Sequence, residues 1–172
     1  MPERSERVID YSVFLNGSEY LGTATADLPE IAFLSETTKG AGIAGEIDAP
    51  SPGQTSAMTL TLNWNTVEKA SLKLLAPVVH ALDLRASIQK FNTATNEYME
   101  SALKVTIRGR PLSGGLGGLE AATAMSSTNA FSVNYLKVFI DGEEILEIDK
   151  LAYIYKVLGV DYLAKTRANL AL

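Results

Sequence analysis

The sequence contains no cysteine and only one histidine, His80. The chain can therefore form neither disulfides nor thiolate metal sites, and zinc coordination or Ser-His-Asp catalysis would depend on a single imidazole. Basic residues are also scarce. The 15 Lys and Arg stand against 20 Asp and Glu, and the net charge of −5 does not favour nucleic-acid binding. No run of about 18 apolar residues occurs, and the N-terminal MPERSERVID lacks an apolar segment, so we expect neither a transmembrane helix nor a signal peptide.

The 172 residues have the composition of a folded domain, with 47% apolar and 20% charged residues. A chain of this length supports one domain with a substantial core. No polar segment is long enough to act as a linker. We therefore expect residues 1–172 to form a single domain.

Apolar and polar residues alternate through most of the chain, which predicts β-strands. In residues 55–64 the alternation predicts one face in a core and an opposite face toward water or a partner. Residues 82–91 show the same pattern. The apolar sets are Met58, Leu60, Leu62 and Trp64, and Leu82, Leu84, Ala86 and Ile88; the polar sets are Thr59, Thr61 and Asn63, and Asp83, Arg85, Ser87 and Gln89.

Turn-forming residue pairs connect several of the predicted strands. Asn16-Gly17 joins residues 8–15 to residues 18–26 as a type I′ hairpin, because both residues tolerate positive φ. Asp141-Gly142 is a second tight hairpin, between residues 130–140 and 143–148. Further strands are predicted over residues 31–37, 98–108, 119–125 and 153–157.

Helical patterns are confined to two short segments. Asn65 to Glu68 has the arrangement of a capping box and predicts a helix that ends before Pro77. Asp161 could cap a last helix through Leu170. The residues therefore predict a mainly β chain, an antiparallel β-sandwich or barrel with one flanking α-helix.

Two glycine-rich segments interrupt the alternation, at residues 38–54 and 110–118. The first contains GAGIAG at residues 40–45, which matches the G-x-G-x-x-G of dinucleotide-binding folds. That motif requires a helix directly after the last glycine. Pro50 and Pro52 disfavour such a helix, and Glu46 would repel a phosphate. We therefore interpret residues 38–54 as a mobile loop.

The other candidates for chemistry are weak. His80 follows an apolar run near the predicted helix end, where histidine is more often a packing or capping residue than a base. Acidic residues on the second hairpin alternate between two faces and match no calcium loop. We expect no catalytic residues, no metal site and no cofactor, which favours a binding or assembly protein over an enzyme. The acidic residues are Asp141, Glu143, Glu144, Glu147 and Asp149.

Several stretches resemble the major tail tube protein of contractile-tailed phages, the P2-like family that also includes R-type pyocin tubes. They are VFLNG (13–17), ETTKGAGIAGEID (36–48), MTLTLNW (58–64), LDLRASIQ (82–89), IRGRP (107–111), IDGEEILEIDKL (140–151) and GVDYLAKTRANL (159–170). Each stretch alone is weak, but together and in this order they are specific. The resemblance covers nearly the whole chain.

The resemblance implies a structural subunit of the inner tube of a contractile phage tail or of a phage-tail-like bacteriocin. It implies a homo-hexamer whose rings stack around a channel for DNA passage. The implied partners are the tail sheath, tape-measure and baseplate proteins, with transient DNA in the lumen that is not specifically bound. No membrane insertion is implied, and the virion tail would be assembled in the bacterial host cytoplasm.

Under this resemblance residues 38–54 become a long assembly loop that reaches a neighbouring subunit, and a polar strand face lines the lumen. Two alternatives remain. One is a small-ligand-binding β-barrel whose apolar strand faces enclose a pocket, and the other is a nucleotide-dependent enzyme that uses the GAGIAG segment. The loop candidates are Lys39, Gly40, Gly42, Ile43, Gly45, Glu46, Ile47 and Asp48; the lumen candidates are Thr59, Thr61, Asn63, Asp83, Arg85, Ser87 and Gln89.

Overall fold

A computed structural model describes residues 3–23 and 25–172 of the chain. Two short helices, α1 (Lys69–Lys73) and α2 (Ala164–Asn169), accompany the strands among these residues. The mainly β, antiparallel fold predicted from the sequence is confirmed. The strands are β1 (Glu3–Leu15), β2 (Glu19–Leu21), β3 (Thr25–Asp27), β4 (Phe33–Lys39), β5 (Glu46–Thr55), β6 (Met58–Trp64), β7 (His80–Asn92), β8 (Glu97–Gly115), β9 (Ser127–Ile140), β10 (Glu143–Asp149), β11 (Ile154–Val157) and β12 (Val160–Asp161).

The main sheet divides at β9. The first half of β9 pairs with β6 over residues 127–133, and the second half pairs with β10 over residues 135–140. β8 pairs along the other edge of β9, and the sheet continues from β8 through β7 and β1 to β2. From β10 it continues through β11 to β12, while β3 pairs with β6. This branching lets one antiparallel sheet curl around a core.

The core lies on the apolar side of these strands. Met58, Leu60, Leu62 and Trp64 are each at most 1% exposed, which confirms the buried face predicted for this segment. Leu82 and Leu84 are also buried, whereas Ala86 and Ile88 are half-buried because β7 extends beyond the core. The other members are Val13, Leu15, Leu21, Leu74, Val105, Ile107, Phe131, Val133, Leu136 and Ile148.

A buried chain of hydrogen bonds fastens α1 to the sheet. Trp64 Nε1 donates to Asn129 Oδ1 at 2.8 Å, and Asn129 Nδ2 donates to the backbone oxygen of Ser71 at 3.1 Å. The helix begins later than predicted, because its N-cap is Glu68 rather than Asn65. A five-residue helix has little stability of its own, so these contacts with β6 and β9 hold it in place.

Both tight hairpins predicted from glycine-containing pairs are confirmed. Asn16 and Gly17 have φ angles of 52° and 77°, and Asp141 and Gly142 have φ angles of 50° and 84°. Positive φ at both central residues is what a type I′ turn requires. Asp141 also accepts a hydrogen bond from Ser101 Oγ at 2.7 Å, which ties the second turn to β8.

Three predicted segment boundaries are wrong. The strand expected over residues 18–26 is divided into β2 and β3, which join different parts of the sheet, and Ala24 lies outside the described residues. The loop expected over residues 110–118 is largely the end of β8, because β9 pairs with it as far as Gly115. The strand expected over residues 119–125 is a loop.

Residues 38–54, predicted to be a mobile loop, belong largely to a β-hairpin. β4 and β5 pair in antiparallel register from Phe33 opposite Thr55 to Lys39 opposite Glu46. Every residue of β4 is exposed, so this hairpin stands outside the curled sheet. We call β4, β5 and their connection the arm.

Leu62 tests the assignment of the core face. Leu62→Asp places an unpaired carboxylate in the interior, which costs several kcal/mol and is comparable with the whole stability of a small domain. We expect insoluble protein, or soluble protein without a cooperative melting transition. The measurements are the soluble fraction after expression and thermal melting by circular dichroism.

Thr59→Asp is the matched control, because Thr59 lies on the same strand with its side chain exposed. We expect this variant to stay soluble and to melt within a few degrees of the wild type. A soluble Leu62→Asp variant with wild-type melting would contradict the assignment of the face.

Candidate assembly surfaces

Both polar sets proposed as a lumen face lie on the same side of the sheet, opposite the core. Asp83 of β7 is opposite Thr106 of β8. Thr59 of β6 is opposite Ser132 of β9. Ser132 is in turn opposite Arg110 of β8. Paired residues project to the same side of a sheet, and Thr106 and Arg110 share a side of β8. The shared surface, called the polar face below, contains Thr59, Thr61, Asn63, Asp83, Arg85, Ser87 and Gln89.

The polar face lies on the side of the sheet away from the packed core. The core beneath it is occupied by side chains such as Trp64 and Phe131, which are at most 1% exposed. The apolar strand faces thus pack against one another, which does not favour the alternative of a small-ligand barrel. An open groove of about 980 Å³ on the polar face is lined by residues that include Asp10, Ser12, Arg85, Ser87, Glu100, Lys104 and Phe139.

Cations on the polar face are held by carboxylates and aromatic rings. Lys104 Nζ lies 3.8 Å from Asp83 Oδ2 and 5.8 Å from the centre of the Phe139 ring. The guanidinium carbon of Arg85 lies 4.9 Å from the centre of the Phe14 ring. Lys104 and Arg85 are therefore compensated locally and do not add to a continuous basic field.

A second cluster crosses β9, β10 and β11 on the same face. Lys137 Nζ lies 2.7 Å from Glu144 and 3.8 Å from Glu147, and Lys156 Nζ lies 3.1 Å from Glu144. The hydroxyl of Tyr135 donates to Glu147 at 3.2 Å. The hydrogen bond with Glu144 raises the pKa of Lys137, and the hydrogen bonds from Lys137 and then Lys156 lower the pKa of Glu144. Ion pairs thus connect three neighbouring strands.

The assembly-loop candidates lie together at the far end of the arm. Lys39 ends β4 with its Nζ 3.7 Å from Glu46, which begins β5. Gly42 and Gly45 have φ angles of 90° and 116°, a conformation that favours glycine. Ile47 is 56% exposed. The remaining candidates are Gly40 and Ile43 in the connection and Asp48 in β5.

The geometry of the arm does not support the dinucleotide interpretation of the GAGIAG segment. β4 precedes the first glycine, but β5 follows the last glycine where the motif requires a helix. The segment therefore lacks the helix N-terminus whose N–H groups hold a pyrophosphate. The GAGIAG segment therefore does not supply the phosphate-binding element that the hypothesis of a nucleotide-dependent enzyme requires.

Contacts at the base of the arm anchor it to the rest of the subunit. The ammonium of Lys150 donates to the backbone oxygens of Thr55 and Ser56, and burial lowers the pKa of this lysine. Phe33 packs against Tyr155 with ring centres 5.6 Å apart. The base therefore has a fixed position while the far end of the arm remains exposed.

His80 is a packing residue, as the sequence predicts. It is 6% exposed, its Nε2 lies 3.0 Å from the backbone oxygen of Ala76, and its ring meets Phe131 edge-on at 6.0 Å. Within residues 3–23 and 25–172, no three His, Asp or Glu side chains are arranged to hold a metal ion. No helix in the described part of the chain is both long and apolar enough to cross a membrane.

Apart from Arg85, the sequence predictions did not include the basic and aromatic members of the polar face. Lys104 and Arg108 alternate with core residues of β8, so the alternation in the sequence could have identified them as members of this face. In β9 the alternation of core and polar residues is interrupted. Asn134 has no partner between Tyr135 and Val133 in the pairing with β8, and this bulge shifts the alternation by one residue.

Comparisons with known proteins give matches over nearly the whole chain. The family model described as phage tail tube protein FII matches residues 5–170. The tail tube protein of Escherichia phage P2 is 30% identical over 166 residues, which is 94% of each chain.

The fold is also similar to solved structures from an extracellular contractile injection system, PVC. Its sheath/tube terminator has a TM-score of 0.52 at 14% identity, covering 78% of this chain and 96% of that one. A chain of its sheath-tube complex has a TM-score of 0.48 at 14% identity, covering 76% and 86%. At this identity the likeness concerns the fold alone.

The pair of Lys137 and Glu144 predicts acid-dependent stability. The pKa of Glu144 is lowered in the folded chain from the usual 4.5, so its contribution is present above that pH and is lost as the pH falls through the lowered pKa. We expect the free energy of unfolding, measured by denaturant titration, to fall on acidification below about pH 4.5. The fall should be shallower in Glu144→Gln.

Glu143→Gln is the control for this titration, because the neighbouring Glu143 is exposed and forms no ion pair among the described residues. It should retain the acid dependence of the wild type. If Glu144→Gln also retained that dependence, the ion-pair cluster would not be contributing to stability.

Proposed function

The chain belongs to the phage tail tube protein FII family, and we propose that hexameric rings of it stack into the inner tube of a contractile tail or of a phage-tail-like bacteriocin. As a member of this family the chain is a structural subunit of a tail tube. The proposal extends this role to the size of the ring, the surface that lines the channel and the segment that joins neighbouring copies.

The polar face of the curled sheet is the observation that carries the proposal. One side of the sheet buries the core, whereas the other is polar, and Arg85, Lys104 and Lys137 on it are compensated by carboxylates or aromatic rings. A channel for DNA benefits from such a wall, because an uncompensated basic surface would hold the phosphates. The polar face is therefore assigned to the lumen, and the net charge of −5 agrees with this role.

The outer edge of β1 offers a way to close a ring. β7 pairs along β1 from residue 3 to residue 15, but β2 covers the opposite edge over residues 13–15. Among the described residues no strand pairs with that edge over residues 3–12, where the register shifts twice. Bulges and charges on an edge strand disfavour pairing with unrelated strands of other proteins. A matching edge of a neighbouring copy would instead continue the sheet around the channel.

The arm supplies a contact to a neighbouring subunit. Leu34 and Ile47 are about half exposed on its strands, at 48% and 56%, so they are free to be buried by another copy. Burying an isoleucine contributes about 1.5–3 kcal/mol, and the contact would recur at every subunit. An exposed ion pair such as Lys39 with Glu46 contributes only about 0–1 kcal/mol, so apolar burial dominates.

The other proposed partners follow from the role of a tube subunit. They are the tail sheath, the tape-measure protein and the baseplate, with DNA passing transiently through the lumen without specific binding. The chain is a component of the tail, and its assembly is assigned to the cytoplasm of the bacterial host. The proposal includes no catalytic step and no cofactor.

Because the chain has no cysteine, a single introduced thiol can test the lumen assignment. Thr59→Cys places that thiol on the polar face. In tubes verified by electron microscopy, we expect a small maleimide to react and a maleimide attached to a globular protein not to react. Unassembled subunits should react with both reagents. Reaction with both reagents in tubes would place Thr59 on the outer surface, and reaction with neither would place it between subunits.

Replacing residues 40–45 with a short serine-rich linker tests the arm. Gly42 and Gly45 hold positive φ angles, so the replacement disrupts the connection of the hairpin without touching the core. We expect a folded β protein by circular dichroism that no longer makes long tubes in electron micrographs.

The double variant Ala41→Ser with Ala44→Ser is the control, because both alanines are exposed and every glycine is retained. It should assemble as the wild type does. Unfolding of the linker variant, or tubes of normal length from it, would each show that the arm does not act in assembly as proposed.

A further inference from the structure

An aromatic groove lies at the base of the arm. Phe33, Tyr155 and Tyr162 line it together with Pro52, and its volume is about 270 Å³. Phe33 and Tyr162 are 43% and 58% exposed, so the groove opens to solvent. Exposed aromatic rings around a concave site are typical of a surface that receives an apolar side chain of a partner.

A loop with an exposed leucine at its tip connects β8 to β9. Leu119 is 88% exposed. The base of the loop is fixed, since the N–H of Gly118 donates to the backbone oxygen of Met125 at 2.9 Å, and the N–H of Met125 donates to the backbone oxygen of Asn65 at 2.7 Å. We call residues 116–126 the Leu119 loop. Its fixed base lowers the entropy cost of inserting the tip into a partner.

The groove and the Leu119 loop lie at opposite ends of β6. Pro52 belongs to β5, which leads into β6, whereas Asn65, which holds the loop, directly follows β6. β6 has seven residues, so the two sites are separated by about 20 Å along the strand. The loop cannot fill the groove of its own chain. A contact between these two sites joins copies head to tail, which is how a repeating axial assembly is built.

We propose that the Leu119 loop of one copy inserts Leu119 into the aromatic groove of the next copy along the tube axis. This inference rests on the proposed function and names the contact that joins successive rings. The tilted strands of a closed wall end at its two rims, so sites at opposite ends of β6 face neighbouring rings. Glu120, next to Leu119, and Lys165, three residues after Tyr162, carry opposite charges, and neither forms an ion pair among the described residues.

Disulfide cross-linking tests the contact directly, because the chain has no native thiol. In Leu119→Cys with Tyr162→Cys, each copy carries both halves of the contact. We expect oxidised tubes to give a ladder of covalent oligomers that extends well beyond the number of subunits in a ring. Each single-cysteine variant should give no ladder. A ladder that stops at one ring would show a lateral contact and overturn the axial assignment.

Leu119→Asp tests the energetic role of the leucine. The side chain is exposed in the subunit, so the variant should fold and melt as the wild type does. Losing the burial of one leucine should raise the subunit concentration needed for tube assembly about tenfold or more. Leu119→Met preserves an apolar side chain of similar volume and should assemble nearly normally.

The outcomes separate this inference from the proposed function. If wild-type subunits form tubes, but Leu119→Asp assembles equally well and the double-cysteine variant gives no ladder, the contact is wrong while the tube function stands. If the wild-type chain forms neither rings nor tubes at any concentration, both are contradicted. Loss of assembly in Leu119→Asp with no ladder would indicate that another protein or surface receives the leucine, and would also overturn the proposal.

Discussion

Backbone hydrogen bonding along β9 is the constraint on which the other features depend. This strand shares one edge with β8 over most of its length and divides its other edge between β6 and β10. The division turns the sheet around the core and leaves the polar face on the side away from it. It also sets β6 in position to bury Trp64 against Asn129, through which α1 is attached. A substitution that disturbed β9 would therefore affect the core and the candidate surfaces together.

Features governed by local backbone chemistry could be predicted from the sequence. The hairpins at Asn16-Gly17 and Asp141-Gly142 depend on residues that tolerate positive φ, and the core face of β6 depends on strict alternation. The two polar sets were also identified because they alternate with core residues. Both sets share one side of the sheet because of the way distant strands pair. A single sequence does not reveal this pairing.

The second strand of the arm, β5, could not be predicted because it lacks the usual signals, whereas the strand predicted over residues 31–37 overlaps β4. Pro50 and Pro52 indicated a break in structure, yet β5 pairs with β4 on one edge only, and a proline on an edge strand removes no ladder hydrogen bond where its nitrogen faces outward. The glycines at the end of β8 likewise indicated a loop, because glycine is disfavoured in strands. There the neighbouring β9 supplies backbone partners as far as Gly115, so the strand persists without side chains that favour it.

The compensated charges of the polar face have a consequence for any polyanion that moves along it. Lysine and arginine that meet phosphates freely displace condensed counterions, and the entropy of that release makes binding strong and dependent on salt. Lys104 and Lys137 are already engaged by carboxylates and by the ring of Phe139. A channel lined by such faces would release few counterions, so friction on a passing strand would be low and nearly insensitive to ionic strength.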